Sequence, residues 1–234
     1  IFSNHLTEGL FLLYAFLGFV LFSMLSGAIY IINDLLDVEA DRLHPRKSKR
    51  PIASGELAPG TALTAAILSG GISLVVSYYL SFSFGMVALA YALITVTYSV
   101  SIKHVVVLDT LFLALGFVLR AVGGVFIIRG LGDTIPMTPW FVICVLFLSL
   151  FIAACKRRQE ITLANASEHR RVLADYDAAI LDQIVNISAG LTIMAYALYL
   201  IAAVEHPASN PMSLPLVSSL PLVIYGVFRY LYLV

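Results

Sequence analysis

Seven apolar stretches, at 9–33, 61–81, 84–102, 107–128, 138–155, 178–204 and 214–233, dominate this chain of 234 residues. Each approaches the ~20 residues that an α-helix needs to cross the hydrocarbon core of a bilayer. They are continuous rather than alternating with period two, which favours helices over barrel strands. In lipid only those two structures satisfy every backbone N–H and C=O. Hydrophobic residues make up 60% of the chain and charged residues 12%, against roughly 45–50% and about 25% in soluble domains. The expectation is an all-α, polytopic transmembrane helical bundle of about seven spans, forming a single domain over residues 1–234.

With so few charges, their positions carry the information. Arg42, Arg46, Lys47, Lys49 and Arg50 lie on the first connection between spans. Lys103 lies on the third, and Lys156, Arg157, Arg158, Arg170 and Arg171 on the fifth. These are eleven of the fourteen basic residues, all on odd-numbered connections, which alternate crossing places on one side. The positive-inside rule makes that side cytoplasmic. Net charge is zero, so no bulk attraction to nucleic acid is expected. Cys144 and Cys155 stand 11 residues apart in one apolar run, roughly 16 Å along a helix and beyond disulfide reach. No Cys/His metal spacing, P-loop or Gly-x-Ser-x-Gly pattern is present.

The first span ends in Asn33-Asp34-Leu35-Leu36-Asp37-Val38-Glu39-Ala40-Asp41. Asp34, Asp37 and Asp41 stand at i, i+3 and i+7, a spacing that puts three carboxylates on one helical face. Like charges so arranged repel, and near a membrane each is costly. A divalent cation compensates them, because carboxylate oxygens are hard ligands; Mg²⁺ is typically held by one or two of them with substrate phosphates and water. A solvated helix end is the bland alternative, but the basic run Arg42 to Arg50 follows at once. A metal-bound diphosphate needs both kinds of group, carboxylates for the cation and Lys or Arg for the phosphate oxygens. Pro45, Pro51, Gly55 and Pro59 predict an ordered loop there rather than a continued helix.

Further charges stand near the other span ends. Lys103 follows the third span and Asp109 begins the fourth. Arg120, within the fourth, should face the bundle interior and find an acidic partner or a ligand. Lys156-Arg157-Arg158-Gln159-Glu160 closes the fifth span, as an anchor or as a phosphate-binding group; Lys156 and Glu160 share a face at i, i+4. Glu168, His169, Arg170, Arg171, Asp175, Tyr176 and Asp177 lie on the same side and could cap the site.

Asn33-Asp34-x-x-Asp37-x-x-x-Asp41, followed by Lys47, Arg50, Pro51 and Ile52, resembles the NDxxDxxxD and K-x-R-P-I/L segments of the UbiA-type intramembrane prenyltransferase superfamily. Within it the likeness is to the polyprenyl-phosphate phosphoribosyltransferase branch and runs along nearly the whole chain. It includes Tyr98 to Lys103, Leu108-Asp109, Gly116 to Ala121, Lys156-Arg157 with Glu160, and Tyr225 to Val234. The second aspartate motif (DxxxD) of ordinary members is replaced here by Lys156-Arg157-Arg158, although Asp175, Asp177 and Asp182 lie farther on. The resemblance implies nine spans in the full protein, of which these seven would be the second to eighth.

The resemblance also implies chemistry: transfer of phosphoribose from phosphoribosyl pyrophosphate (PRPP) to a polyprenyl phosphate, with release of diphosphate, at the cytoplasmic face of a bacterial-type cell membrane. Asp34, Asp37 and Asp41 would hold Mg²⁺ on the leaving diphosphate. Asn33, Lys47 and Arg50 would bind that group. Lys103, Lys156 and Arg157 would take the 5-phosphate or the lipid phosphate, with Tyr98, Arg120 and Glu160 completing the binding set. The alternative within the superfamily moves a prenyl group from a prenyl diphosphate to an aromatic or other acceptor, and the missing DxxxD argues against it. A transporter would place its carboxylates near the midplane, on broken helices; here they stand at a span end.

Overall fold

The computed structural model describes residues 8–45, 47–132, 137–163, 177–205 and 217–233. Arg46, Glu168 to Arg171, Asp175 and Tyr176 therefore lie outside the described residues. Every regular element among those described is helical. In chain order they are α1 (Gly9–Leu36), α2 (Val38–Leu43), a 3₁₀ turn (Lys47–Lys49), α3 (Pro51–Ser54), α4 (Pro59–Leu80), α5 (Phe82–Val100), a second 3₁₀ turn (Ile102–His104), α6 (Leu108–Arg129), α7 (Pro139–Leu163), α8 (Ala178–Glu205) and α9 (Leu220–Leu233). The helices α1, α4, α5, α6, α7 and α8 are each long and apolar enough to cross a membrane. The seventh expected stretch is described only as α9, 14 residues long, below the ~20 of a full crossing.

Two compact units are distinguished. One holds α1 to α5 with the end of α6 from Val122; the other holds α6 up to Ala121 with α7, α8 and α9.

In the first unit, α4 shows how a lipid-facing helix is organised. Its small residues Ala62, Ala66, Ser73 and Ser77 are buried, while Leu63, Ile67, Leu68, Ile72 and Val75 are exposed. That is the reverse of a water-soluble helix. Where lipid tails are as apolar as leucine, helices associate through close packing of small residues and interhelical hydrogen bonds. Both occur against α1: Gly70 lies over Ala28, and Ser73 Oγ donates to the Leu21 carbonyl at 2.7 Å. A Cβ on Gly18 would come within 2.9 Å of Ile127, and one on Gly123 within 2.7 Å of the Phe22 ring. The short turn between α4 and α5 is capped by Ser81, whose Oγ accepts from Phe84 N–H.

In the second unit, α7 and α8 pack side by side. Phe151, Ala154 and Cys155 of α7 meet Val185 and Ala189 of α8 and Val227 of α9. Tyr230 completes this cluster, edge-on to Phe151 with centroids 5.6 Å apart. Ser188 and Thr192 satisfy their hydroxyls on carbonyls one turn back in α8, as hydroxyls in apolar surroundings must.

Candidate active site

The expected single helical face is interrupted. α1 closes at Leu36 and α2 opens at Val38, with Asp37 between them at φ −97°, ψ 5°, the sparsely populated bridge region. Aspartate is a poor helix interior residue, and three like charges at this spacing oppose a continuous helix. The break is local, because Asp37 N–H still reaches the Asn33 carbonyl (3.0 Å) and Asp41 N–H the Asp37 carbonyl (2.8 Å).

This break distributes the three carboxylates between two sets of bases. Asp34 Oδ1 and Asp41 Oδ2 converge on one nitrogen, Arg50 Nη1, at 2.6 and 2.8 Å. Lys47 Nζ stands 3.9 Å from the other oxygen of Asp41. Asp37 is engaged elsewhere. Its Oδ1 accepts from Lys103 Nζ at 2.5 Å and its Oδ2 from Asn33 Nδ2 at 3.2 Å. Asp41 and Lys103 are buried, at 3% and 6% exposure, so these pairs are only weakly screened by solvent.

Local sequence explains why the bases stand there. The predicted ordered loop is present. His44 Nδ1 accepts from Lys47 N–H, and Ser48 N–H donates to the His44 carbonyl. Arg50 N–H closes the 3₁₀ turn on Lys47, and Pro51 starts α3 with φ preset for a helix. Gly55 ends α3 at φ +87°, a conformation that side chains resist. Lys103 sits in the second 3₁₀ turn, just before a strained residue. Val107 has φ +69°, unusual for a β-branched side chain, and Leu108 N–H reaches across it to the Val106 carbonyl at 2.8 Å.

In the second unit, Arg157 and Asp109 form a buried pair. Arg157 Nε donates to Asp109 Oδ2 at 2.7 Å and Nη1 to Glu160 Oε2 at 2.6 Å. Glu160 thus pairs with Arg157, one turn away at i, i+3, whereas Lys156, expected on its face, is exposed. Arg158 Nε donates to Asp182 Oδ1 at 2.7 Å, and Asp177 Oδ1 caps the start of α8 by accepting from Ala179 N–H. Arg120 lies over the Phe117 ring, 5.4 Å from its centroid. Tyr98 is half-buried near the end of α5.

The structure therefore brings together Asn33, Asp34, Asp37, Asp41, Lys47, Arg50 and Lys103 in one unit, and Arg157 with Glu160 in the other. The sequence reading passed over Asp109 as the partner of Arg157. The available signal was a carboxylate in the first turn of an otherwise apolar span, which demands a partner.

The donor set suits a hard divalent cation with phosphate. Two carboxylate oxygens already converge on a single positive point, Arg50 Nη1, as they would on a metal ion. Among the described residues no three His, Cys, Asp or Glu side chains gather to hold an ion by themselves. The three aspartates expected to share a cation are instead divided, Asp34 and Asp41 on Arg50 and Asp37 on Lys103.

Residues 3–234 match the model of the UbiA prenyltransferase family. Decaprenyl-phosphate phosphoribosyltransferase of Mycolicibacterium smegmatis is 36% identical over 184 residues, 78% of this chain and 56% of that protein. Its counterpart in Corynebacterium glutamicum is 34% identical over 187 residues, 78% of this chain and 55% of that protein. The chain thus spans a little over half the length of these relatives. Among solved structures, a UbiA homologue from Archaeoglobus fulgidus bound to DMAPP and Mg²⁺ superposes with a TM-score of 0.75 at 21% identity, covering 94% of this chain and 75% of that one; this likeness concerns the fold.

Proposed function

This chain belongs to the UbiA prenyltransferase family, and on that premise we propose that it transfers phosphoribose from PRPP to a polyprenyl phosphate at the cytoplasmic face of a bacterial-type membrane. The observation that carries this reading is the convergence of Asp34 and Asp41 on one cation, Arg50, with Lys47 beside Asp41 and Lys103 on the neighbouring Asp37. It is suited to a charged diphosphate, and the similar proteins above are decaprenyl-phosphate phosphoribosyltransferases.

In the reaction the bond from ribose C1 to the diphosphate oxygen breaks, and a bond from C1 to a lipid phosphate oxygen forms. C1 passes through a state with oxocarbenium character, as in glycosyl transfer generally. Asp34 and Asp41, with Asp37 beside them, would hold Mg²⁺, which when bound neutralises charge on the leaving diphosphate. Arg50 and Lys47 bind that diphosphate through charge-assisted hydrogen bonds. In its own unit Lys103 orients a remaining phosphate; in the other, exposed Lys156 is open to a phosphate and Arg157 fixes the end of α7 through Asp109 and Glu160. The lipid phosphate is anionic at neutral pH and needs no general base. Transfer of a prenyl group is less well supported, because the two described aspartates nearest to a second acidic motif have other duties: Asp177 caps α8 and Asp182 holds Arg158.

The test is transfer of radiolabel from PRPP into polyprenyl phosphate by the full-length protein in liposomes, with Mg²⁺ or EDTA. EDTA-sensitive label in the lipid phase is expected. Asp34→Asn should lower the rate by at least ~10²-fold, as loss of an electrostatic catalytic group does, with the protein still inserted and folded. Undiminished transfer by this variant would remove Asp34 from the site.

A further inference from the structure

We infer that Arg50 is an internal counter-ion that occupies the cation position between Asp34 and Asp41, so that metal and diphosphate bind together and the metal alone binds poorly. The inference rests on the functional reading above and adds to it an order of events at the same site.

Arg50 Nη1 lies 2.6 Å from Asp34 Oδ1 and 2.8 Å from Asp41 Oδ2. A single nitrogen thus holds both carboxylates at the point where an incoming cation would find two anionic oxygens. Asp37 is neutralised separately by Lys103, and Lys47 faces the other oxygen of Asp41. Three carboxylates face three bases, and the cluster is balanced without a metal. A divalent cation arriving alone must displace Arg50 and leave its guanidinium without an anion, which is unfavourable in a partly buried site. Arriving with a diphosphate, it brings the replacement partner: the carboxylates turn to the metal and Arg50 turns to phosphate oxygens, a bidentate geometry that guanidinium favours.

The loop is built for that exchange. The backbone of Arg50 is held on both sides, by Lys47 through its own N–H and by Ser54 N–H on its carbonyl. Its side chain is 38% exposed, whereas that of Asp41 is 5% exposed. The guanidinium can therefore swing while the main chain and the inner carboxylate stay in place.

The experiment measures Mn²⁺ binding to the full-length protein in detergent, by the EPR signal of free Mn²⁺, without any phosphate present. Removing Arg50 should strengthen that binding. Arg50→Gln leaves Asp34 and Asp41 without their cation and should bind Mn²⁺ about tenfold more tightly than the wild type, inside the ~5–150-fold range of ordinary site coupling. Asp34→Asn added to Arg50→Gln should abolish the gain. Retention of labelled pyrophosphate should require Mn²⁺ in the wild type and fall in Arg50→Gln. A melting temperature that rises with Mn²⁺ in Arg50→Gln, and not in the wild type, gives the same answer if the variant is too unstable for titration. Arg50→Lys, a point charge that cannot bridge so well, should fall between. Mn²⁺ affinity in Arg50→Gln equal to or weaker than wild type, in a wild-type protein that transfers phosphoribose, overturns the inference and leaves the functional reading intact. The tenfold gain in a protein that transfers nothing supports the inference and overturns that reading instead.

Discussion

Asp109 is fully buried and Arg157 is 3% exposed, and each satisfies the other directly at 2.7 Å. Removing one partner of such a pair strands a charge where water cannot reach it, at a cost of about 3–5 kcal/mol. Arg157→Met, which takes the guanidinium from Asp109, should lower unfolding stability by an amount of that order, and Asp109→Asn by less, because Glu160 still pairs with Arg157. The double substitution Arg157→Met with Asp109→Leu should recover part of it. Lys156, one residue away and exposed, should behave oppositely: Lys156→Ala keeps stability within about 0.5 kcal/mol and weakens PRPP binding. Unfolding in graded denaturant, read beside KM for PRPP, separates the two residues. If Lys156→Ala destabilised the fold as much as Arg157→Met, the division between an anchoring and a ligand-facing base would be wrong. The same two residues show what a sequence exposes at this scale. Asp34, Asp41, Lys47 and Arg50 lie within 16 positions of each other, so spacing and chain adjacency were enough to group them. Arg157 and Asp109 are separated by 48 positions, and sequence showed each only as a charge near a span end, with nothing to join the two.

At the scale of elements, apolar length located the helices well. The run expected at 61–81 is α4, Pro59–Leu80, and the run at 84–102 is α5, Phe82–Val100. Hydropathy averages over many residues and so tolerates local detail; for the same reason it missed the break at Asp37, which depends on one residue's backbone and on which bases its neighbours meet. It also could not say which glycines are close contacts. Gly85 and Gly71 look alike in sequence, each inside an apolar helix. A Cβ on Gly85 would meet Tyr78 Cα at 2.8 Å, a backbone atom that cannot turn aside, whereas one on Gly71 meets nothing within 4 Å. Gly85→Ala should therefore destabilise the protein by about 1–3 kcal/mol, the usual cost of overpacking. Gly71→Ala should be neutral or stabilising, since alanine is the better helix former. Thermal unfolding of the two variants side by side decides this, and equal melting temperatures would mean that α4 and α5 are less tightly apposed around Tyr78 than the geometry indicates.

For the molecule as a whole, the distribution of charge makes a stronger statement than any single helix. Six helices have the length and apolarity of full spans, and the basic residues cluster on the first, third and fifth connections between them. In the proposed topology, with one crossing per helix, those connections share one side, which the positive-inside rule assigns to the cytoplasm. A site that takes a highly charged sugar phosphate must open to the compartment that supplies it, because such a molecule does not pass through hydrocarbon. For the proposed reaction, orientation and chemistry impose the same requirement by independent routes. Single cysteines placed in a chain whose Cys144 and Cys155 are replaced by alanine test it. With a membrane-impermeant maleimide on intact cells, Ser83→Cys and Pro139→Cys, both at exposed positions on the even-numbered side, should react. Lys49→Cys, His104→Cys and Asp177→Cys, exposed on the odd-numbered side, should react only after the membrane is opened. Labelling of Lys49→Cys on intact cells would put Asp34, Asp41 and Arg50 on the outer face, and an intracellular sugar-phosphate donor would then be ruled out whatever the local geometry of the site.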